Sequence, residues 1–356
     1  MKVCFLARLT NNASMMGGDG VERYAFNLYE ELIKKGIKVK FPYPKWTEYF
    51  SEPFRSISGL LAFDILSLPF VFRNKEIDIY HAVFPQQGFY SSLLKKRNFV
   101  ITAHHIDDLN DYPGTLRQIS FQTFFDSAFS IATRNSKHII AVSTQTKQEL
   151  ISKFKINNEK ITVIHSGVNE RFQPLEKKTN GTRIIGYIGS LTKRKRVNYL
   201  IHVFDILKKN YPKIKCQLEI YGVGPEYRRL SRYGSKLKDV FFKGFVLEEK
   251  IVEIYNSFDV FVFPSQHEGF GLPILEAQRC GIPVLVDGKS KIPYEIKKKT
   301  VQCLDKEDMA NKIYLILKDK KFRQKISKQG LEYSKKFTWE KCAQQTIEVY
   351  NNVVGN

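Results

Sequence analysis

Two glutamates separated by a glycine-rich loop are the residues whose types and spacing most clearly suggest chemistry. Glu268 follows a predicted strand, and Glu276 lies eight positions later, after the loop Gly269-Phe270-Gly271-Leu272. Because proline is favoured at the start of a helix, we expect a helix to begin at Pro273 with Glu276 in its first turn. The two carboxylates can then point toward one cleft and accept hydrogen bonds from a ribose diol or from sugar hydroxyls.

The loop between these glutamates has the properties of an anion cradle. Glycines expose the backbone amides just ahead of a helix N-terminus, so the expected guest is a phosphate or a hydroxyl-rich sugar. Each glutamate taken singly has an ordinary alternative. Glu276 then merely complements the helix dipole, and Glu268 is a solvated strand end.

A second segment places positive charge at the end of another predicted strand. That strand ends at Gly189, and four consecutive basic residues, Lys193 to Arg196, follow after Ser190. Such donors can neutralise a diphosphate as its bond to a sugar breaks, and each charged hydrogen bond contributes about 1.5 to 3 kcal/mol. The alternative is a basic turn that faces solvent.

Two segments of the first half could also reach a ligand. Gly18 and Gly20 open a helical pattern after the first strand, although their spacing is not that of a dinucleotide-binding loop, so NAD binding is not predicted. The stretch 101–109 ends a strand with two histidines and two aspartates. Adjacent residues on a strand point to opposite faces, so we do not predict a metal site there.

The elements that must position these residues alternate between short apolar runs and amphipathic helical stretches, which indicates parallel sheets covered by helices. A polar stretch at 172–183 has linker chemistry. We therefore predict domains at 1–178 and 179–356, with a packed helix in the last segment. The strands are predicted at 2–8, 78–84, 99–105, 138–143 and 161–166 in the first domain, and at 183–189, 216–222, 240–244, 259–265 and 283–287 in the second.

Composition excludes several classes of protein. The 356 residues are 43% hydrophobic, without an apolar run of membrane-spanning length, and we expect the chain to stay in the cytosol. Five scattered cysteines indicate neither a disulfide framework nor a zinc site. The net charge of +21 indicates an anionic partner or a lysine-rich proteome.

The motifs together resemble one enzyme family. EGFGLPILEA, with its Glu-x7-Glu spacing, resembles the signature of retaining GT-B glycosyltransferases of family 4, also called glycosyl transferases group 1. The segments IGYIGSLTKRKRVNYLI, MMGGDGVERYAFNLYEEL and ITAHHIDDL are similar to other family segments, in the family's order. The resemblance implies an α/β fold of two Rossmann-like, doubly wound domains facing across a cleft, with the C-terminal helix packing back toward the N-terminal domain.

The resemblance also implies roles for particular residues. Glu276 becomes the ribose ligand, and Glu268 the carboxylate on the sugar side. Ser190 stands where many members have an arginine, and His105 stands where an aspartate is common. The implied catalytic residues are His104, Arg194, Lys195 and Glu268, and the implied donor-binding residues are Gly18, Gly20, Ser190, Gly269, Phe270, Gly271, Leu272 and Glu276.

The implied reaction moves a sugar from a UDP- or GDP-linked donor to a hydroxyl of a glycan or lipid-linked acceptor, in the synthesis of cell-surface polysaccharide or glycoconjugate. It retains the anomeric configuration and uses no metal or other cofactor.

Residues 54–72 indicate either an interfacial segment that contacts an anionic membrane at its inner face or a buried helix–loop–helix. No nucleic-acid partner is expected.

Two other functions remain open at this stage. A nucleotide-sugar 2-epimerase has the same fold and also binds a nucleotide sugar. A basic nucleic-acid-binding protein is suggested by the charge alone, because the chain has no recognised binding motif or aromatic-basic stripe.

Overall fold

The computed structural model describes residues 1–6, 20–41, 76–83, 98–104, 116–176 and 181–355, with the backbone alone described for 116–125. The chain forms two compact units. The first contains Met1–Gly167 together with Trp339–Asn356, and the second contains Val168–Thr338.

The first unit is a parallel sheet with helices. Its six strands run in the order β2-β1-β3-β4-β5-β6, and every neighbouring pair is parallel. This is the doubly wound pattern, in which the chain order reverses beside the first strand. The elements are β1 (Lys2–Leu6), α1 (Gly20–Lys34), β2 (Lys38–Lys40), β3 (Ile79–Ala82), β4 (Phe99–Ala103), α2 (Leu116–Asn135), β5 (His138–Ala141), α3 (Thr144–Phe154) and β6 (Ile161–Val163).

The second unit repeats this architecture. Its sheet has the order β12-β11-β10-β7-β8-β9, again with parallel pairs throughout. Its elements are β7 (Arg183–Ile188), α4 (Val197–Asn210), β8 (Cys216–Tyr221), α5 (Tyr227–Gly234), β9 (Val240–Gly244), α6 (Ile251–Ser257), β10 (Val260–Phe263), α7 (Leu272–Arg279), β11 (Val284–Asp287), α8 (Tyr294–Lys297), β12 (Val301–Cys303), α9 (Lys306–Lys318) and α10 (Lys320–Ser334).

The last helix, α11 (Trp339–Gly355), returns to the first unit. Its Trp339 ring packs edge-on against Tyr24 of α1, with ring centroids 5.5 Å apart. The prediction of a packed helix is confirmed. The buried face is made by Trp339, Cys342, Ala343, Thr346, Val349, Tyr350 and Val353, whereas Val354 is exposed.

The predicted parallel sheets are confirmed, and each predicted strand coincides with an observed one to within a few residues. Two three-residue strands were not predicted, β2 and β12. Both lie at sheet edges. Their brevity and partial exposure leave no clear alternation or apolar run to detect.

The boundary between the units lies at Gly167 and Val168, ahead of the predicted position at residue 178, which itself lies outside the described residues. The reason is packing. Val168 donates its amide to the carbonyl of Phe337, and Phe172 is buried against Tyr255 of α6. The start of the polar stretch therefore belongs to the second unit.

No helix in the part of the chain that the structure describes is both long enough and apolar enough to span a bilayer. Residues 54–72, for which the sequence indicated either an interfacial segment or a buried helix–loop–helix, lie outside the described residues.

Candidate functional site

The centre of the candidate site lies in the second unit, where β10 gives way to the loop before α7. The loop is held on both sides by backbone hydrogen bonds. Gln266 donates its amide to the carbonyl of Arg194 at 2.9 Å, and Glu268 donates its own to the carbonyl of Lys291 at 3.0 Å. The segment after β7 and the segment after β10 thus meet at the carboxyl ends of neighbouring parallel strands, where doubly wound sheets bind ligands.

Lys195 and Glu268 form a buried ion pair at this point. The Lys195 Nζ lies 2.6 Å from Glu268 Oε1, and both side chains are about nine-tenths buried. Arg194 adds a second cation, with its Nη1 3.3 Å from the same carboxylate oxygen. The ammonium of Lys195 also lies 5.0 Å from the ring centroid of Phe263, which contributes a cation–π attraction.

Two cations share one carboxylate in this group. Arg194 is further oriented because it donates to the backbone carbonyl of His267, which also accepts from the Ser265 hydroxyl at 3.2 Å. An anion that approaches this group meets donors whose positions are fixed by these contacts.

The ionisation of Glu268 follows from these contacts. Burial by itself raises the pKa of this carboxyl, but attraction by Lys195 and Arg194 and hydrogen bonds from Lys195 and Ser265 outweigh that effect, so the pKa is lowered to about 2. Glu268 is therefore a carboxylate at neutral pH and not a proton donor. The alternative of a solvated strand end is wrong, because Glu268 is only 7% exposed.

The loop that follows leads directly into helix α7. Helix α7 begins at Leu272, and its N-cap Gly271 adopts φ +107° in the left-handed region that favours glycine. Glycine has no side chain to cap the helix, and in the first turn Pro273 has no N–H while Ile274 donates its own to the carbonyl of Gly271 at 3.0 Å. The ring of Phe270 is buried and packs edge-on against Phe337 with centroids 6.0 Å apart.

Glu276 is the fifth residue of α7, so it lies in the second turn and not in the first turn as predicted. The helix begins one residue earlier than Pro273. The Glu276 side chain is 2% exposed, and its Oε2 accepts a hydrogen bond from the Tyr255 hydroxyl at 2.9 Å. The structure thus pairs Arg194 and Lys195 with Glu268, and gives Glu276 a separate partner.

The four consecutive basic residues have different surroundings. Lys193 is exposed, whereas Arg196 turns away to form an ion pair with Asp287 at 2.7 Å and stacks over Tyr199. The cause is local, because residues 193–195 form a 3-10 turn and Arg196 has φ +50°. Ser190 is exposed, and its carbonyl accepts from the Tyr187 hydroxyl at 3.1 Å.

In the first unit, His104 directly follows β4. Its Nε2 donates to the carbonyl of Val83 at 2.9 Å, and its ring packs edge-on against Tyr24 with centroids 4.7 Å apart. Gly20 is the first residue of α1 and is exposed, as expected for a glycine that opens a helix. Gly18 lies outside the described residues.

Several residues around these positions were not predicted from the sequence. His81 is fully buried, with its Nδ1 2.6 Å from the Tyr350 hydroxyl and its Nε2 2.8 Å from the Thr102 hydroxyl. Tyr255 and Asp287 were missed as partners of Glu276 and Arg196. Only Asp287 carried a usable signal, an acidic residue placed directly at the end of an apolar strand.

Two family models match the chain, one over most of each unit. Residues 168–333 match the family Glycosyl transferases group 1, and residues 18–172 match Glycosyltransferase Family 4. The serotype-specific mannosyltransferase WbdA of Escherichia coli is 27% identical over 277 residues, which cover 72% of this chain and 33% of the relative. The chain spans about a third of the length of the mannosyltransferases that it matches first.

Solved structures agree on the fold. Sucrose-phosphate synthase from Thermosynechococcus elongatus superposes with a TM-score of 0.79 at 17% identity, covering 100% of this chain and 99% of that one. HepE of Anabaena, in complex with UDP-glucose, gives 0.75 at 19% identity, with coverage of 99% and 100%. The family matches together span nearly the whole chain, and the fold agrees with them. This chain belongs to the GT-B glycosyltransferases of family 4.

Proposed function

We propose that this chain transfers a glycosyl group from a nucleoside diphosphate sugar to a hydroxyl of a glycan or lipid-linked acceptor. The observation that carries the proposal is the group of Arg194, Lys195 and Glu268, in which two cations share one carboxylate. Family membership and the mannosyltransferase relatives support glycosyl transfer. The UDP-glucose bound to HepE supports a nucleotide-sugar donor, UDP- or GDP-linked.

Each group has a part in binding the donor. Glu276 accepts hydrogen bonds from the ribose hydroxyls, and the amides of Gly269 to Leu272 bind the sugar and diphosphate. Arg194 and Lys195 bind the diphosphate oxygens. The family resemblance adds Ser190, Gly18 and Gly20 to the donor site and His104 to the pocket of the donor sugar.

The chemical step breaks the bond between the anomeric carbon and the β-phosphate oxygen. The electron pair goes to the phosphate, and Arg194 and Lys195 stabilise the charge that develops there. The acceptor hydroxyl attacks from the face that the phosphate leaves, so the configuration is retained, and its proton passes to the departing phosphate oxygen. Glu268, ionised because of its low pKa, stabilises positive charge on the sugar and accepts its hydroxyl hydrogen bonds. The proposed reaction requires no metal ion.

The test is a donor panel of UDP- and GDP-linked hexoses, read by nucleotide release with candidate acceptors added. We expect Lys195→Ala to lower kcat roughly 10- to 100-fold and Glu276→Ala to raise the donor KM by a similar factor. A factor of this size corresponds to the free energy of one charged hydrogen bond. Lys208→Ala is the matched control, because it removes a lysine ion pair with Asp239 in the same unit. Unchanged kinetics in both site variants contradicts the proposal.

Incubation with the donor alone separates this function from that of a 2-epimerase. A changed sugar without transfer identifies the epimerase, whereas slow hydrolysis or no reaction agrees with a transferase.

Peripheral contact with an anionic membrane is a further part of the proposal, motivated by residues 54–72 and by the charge of +21. Flotation of the protein with anionic vesicles tests it, and a protein that stays at the bottom of the gradient contradicts it.

A further inference from the structure

The carboxylate of Glu276 depends on a neighbour for its orientation. A glutamate side chain on a helix has three rotatable bonds, and at 2% exposure Glu276 has little water to hydrogen-bond with. The Tyr255 hydroxyl donates to its Oε2 at 2.9 Å, within the range of protein hydrogen bonds between two oxygens. One oxygen of the carboxylate is therefore fixed from inside the protein.

Tyr255 is itself held by its surroundings. It is fully buried, and three aromatic rings pack edge-on against its ring. The centroid distances are 5.5 Å to Phe261, 5.9 Å to Phe172 and 6.3 Å to Phe258. Such packing disfavours rotation of the ring, so the hydroxyl points in one direction before any ligand arrives.

Helix α6, which carries Tyr255, and the segment just before it are held by hydrogen bonds and an ion pair to residues 171–175 at the start of the second unit. Asn256 donates from Nδ2 to the carbonyl of Gln173 at 3.0 Å, and its Oδ1 accepts from the amide of Leu175 at 2.8 Å. Arg171 forms an ion pair with Glu248, three residues ahead of the first residue of α6. These contacts fix the position of α6 against residues 171–175, and with it the position of Tyr255.

We infer that Tyr255 is a positioning residue that orients the Glu276 carboxylate for a ribose diol. This inference rests on the proposed function, because it takes Glu276 as the ribose ligand. Tyr255 acts through Glu276 and does not itself touch the nucleotide. Its removal should therefore weaken discrimination for the ribose hydroxyls while turnover at saturating donor stays close to that of the wild type.

The test measures binding of UDP, GDP and their 2′-deoxy counterparts dUDP and dGDP to the full chain by calorimetry. For the nucleotide that binds more tightly, we expect the wild type to prefer the ribose form about 10-fold, the value of one charged hydrogen bond. Tyr255→Phe should reduce this ratio to about 3-fold or less, and Glu276→Gln should reduce it at least as far. Tyr211→Phe is the control, since it loses a tyrosine hydrogen bond to Asn311 in the same unit.

The outcomes separate this inference from the proposed function. A wild type that binds neither nucleotide, or shows no ribose preference, overturns both. A preference that Tyr255→Phe retains in full, or a large loss of kcat with the preference intact, overturns the inference alone. Should Tyr255→Phe fail to fold, Phe172→Leu takes its place, because it loosens the ring that packs on Tyr255. A reduced ratio in that variant supports the inference, and an unchanged ratio overturns it.

Discussion

At the scale of single residues, the partner of a charged group decides what the group can do. Arg194, Lys195 and Arg196 are consecutive, yet the first two share Glu268 and the third pairs with Asp287. The pairing of Lys195 with Glu268 keeps that carboxyl ionised despite its burial. Arg196, already matched by its own carboxylate, adds little positive charge for a phosphate.

His81 shows how burial without a charged partner produces a pH dependence. Burial disfavours the charged ring and, with repulsion from His104, lowers the pKa of His81 from its ordinary 6.5 to about 3. Between these values the unfolded chain binds a proton that the folded chain does not. The contribution of His81 to the stability of the first unit is therefore complete above pH 6.5, and it falls by a few kcal/mol as the pH falls toward 3.

We predict that His81→Gln weakens this acid sensitivity. The difference in free energy of unfolding between wild type and variant should shrink between pH 7 and pH 4, because glutamine does not titrate. Urea unfolding followed by tryptophan fluorescence measures it, since Trp339 belongs to the first unit. His202→Gln, in the second unit, is the control. A constant difference across this pH range would falsify the prediction.

At the scale of elements, the strand, loop and helix from Val260 to Arg279 form the part of the site that local sequence specifies best. An apolar run makes β10, the glycines make the loop, and proline near the first position starts α7. The short-range rules act on neighbouring residues, so they hold without knowledge of the rest of the chain. They do not specify that Tyr255, on the preceding helix, meets Glu276.

Gly271 is the residue of this element that a side chain should disturb most. At φ +107°, alanine is strained by about 1 to 2 kcal/mol, and its Cβ would lie 3.3 Å from Ile296 Cγ2. We predict that Gly271→Ala lowers the Tm by a few degrees and raises the donor KM by shifting the loop amides. Gly355→Ala, where a Cβ meets nothing within 4 Å, should change stability by less than about 0.5 kcal/mol. Equal melting of the two variants would contradict the argument.

At the scale of the whole molecule, the last helix packs into the first unit, which the beginning of the chain forms. Helix α11 supplies Trp339 against Tyr24 and Tyr350 against His81, so the first unit is built from two separate stretches of sequence. This helix belongs to the first unit although it follows the second unit in the sequence. The hydrogen bond between His81 and Tyr350 joins residues 269 positions apart.

We predict that deletion of residues 339–356 destabilises the first unit selectively. Amides of β3 and β4 should lose protection in hydrogen–deuterium exchange, because the buried face of α11 is removed from the core beside them. Amides of β7 and β10, in the second unit, should keep theirs. Deletion of only the last two residues serves as the control. Unchanged protection of β3 and β4 in the larger deletion would show that α11 is dispensable to the first unit.

The sequence alone determined the two parallel sheets, the positions of most strands, the glycine loop before a helix and the residues of the family motifs. These follow from patterns among residues that are near in the chain, where periodicity and turn chemistry act directly. Only the tertiary structure decided which side chains meet: Lys195 with Glu268 across 73 positions, and Tyr255 with Glu276 across 21. The order of strands in each sheet brings such pairs together, and local pattern does not encode that order, because a sheet is assembled from strands distant in sequence.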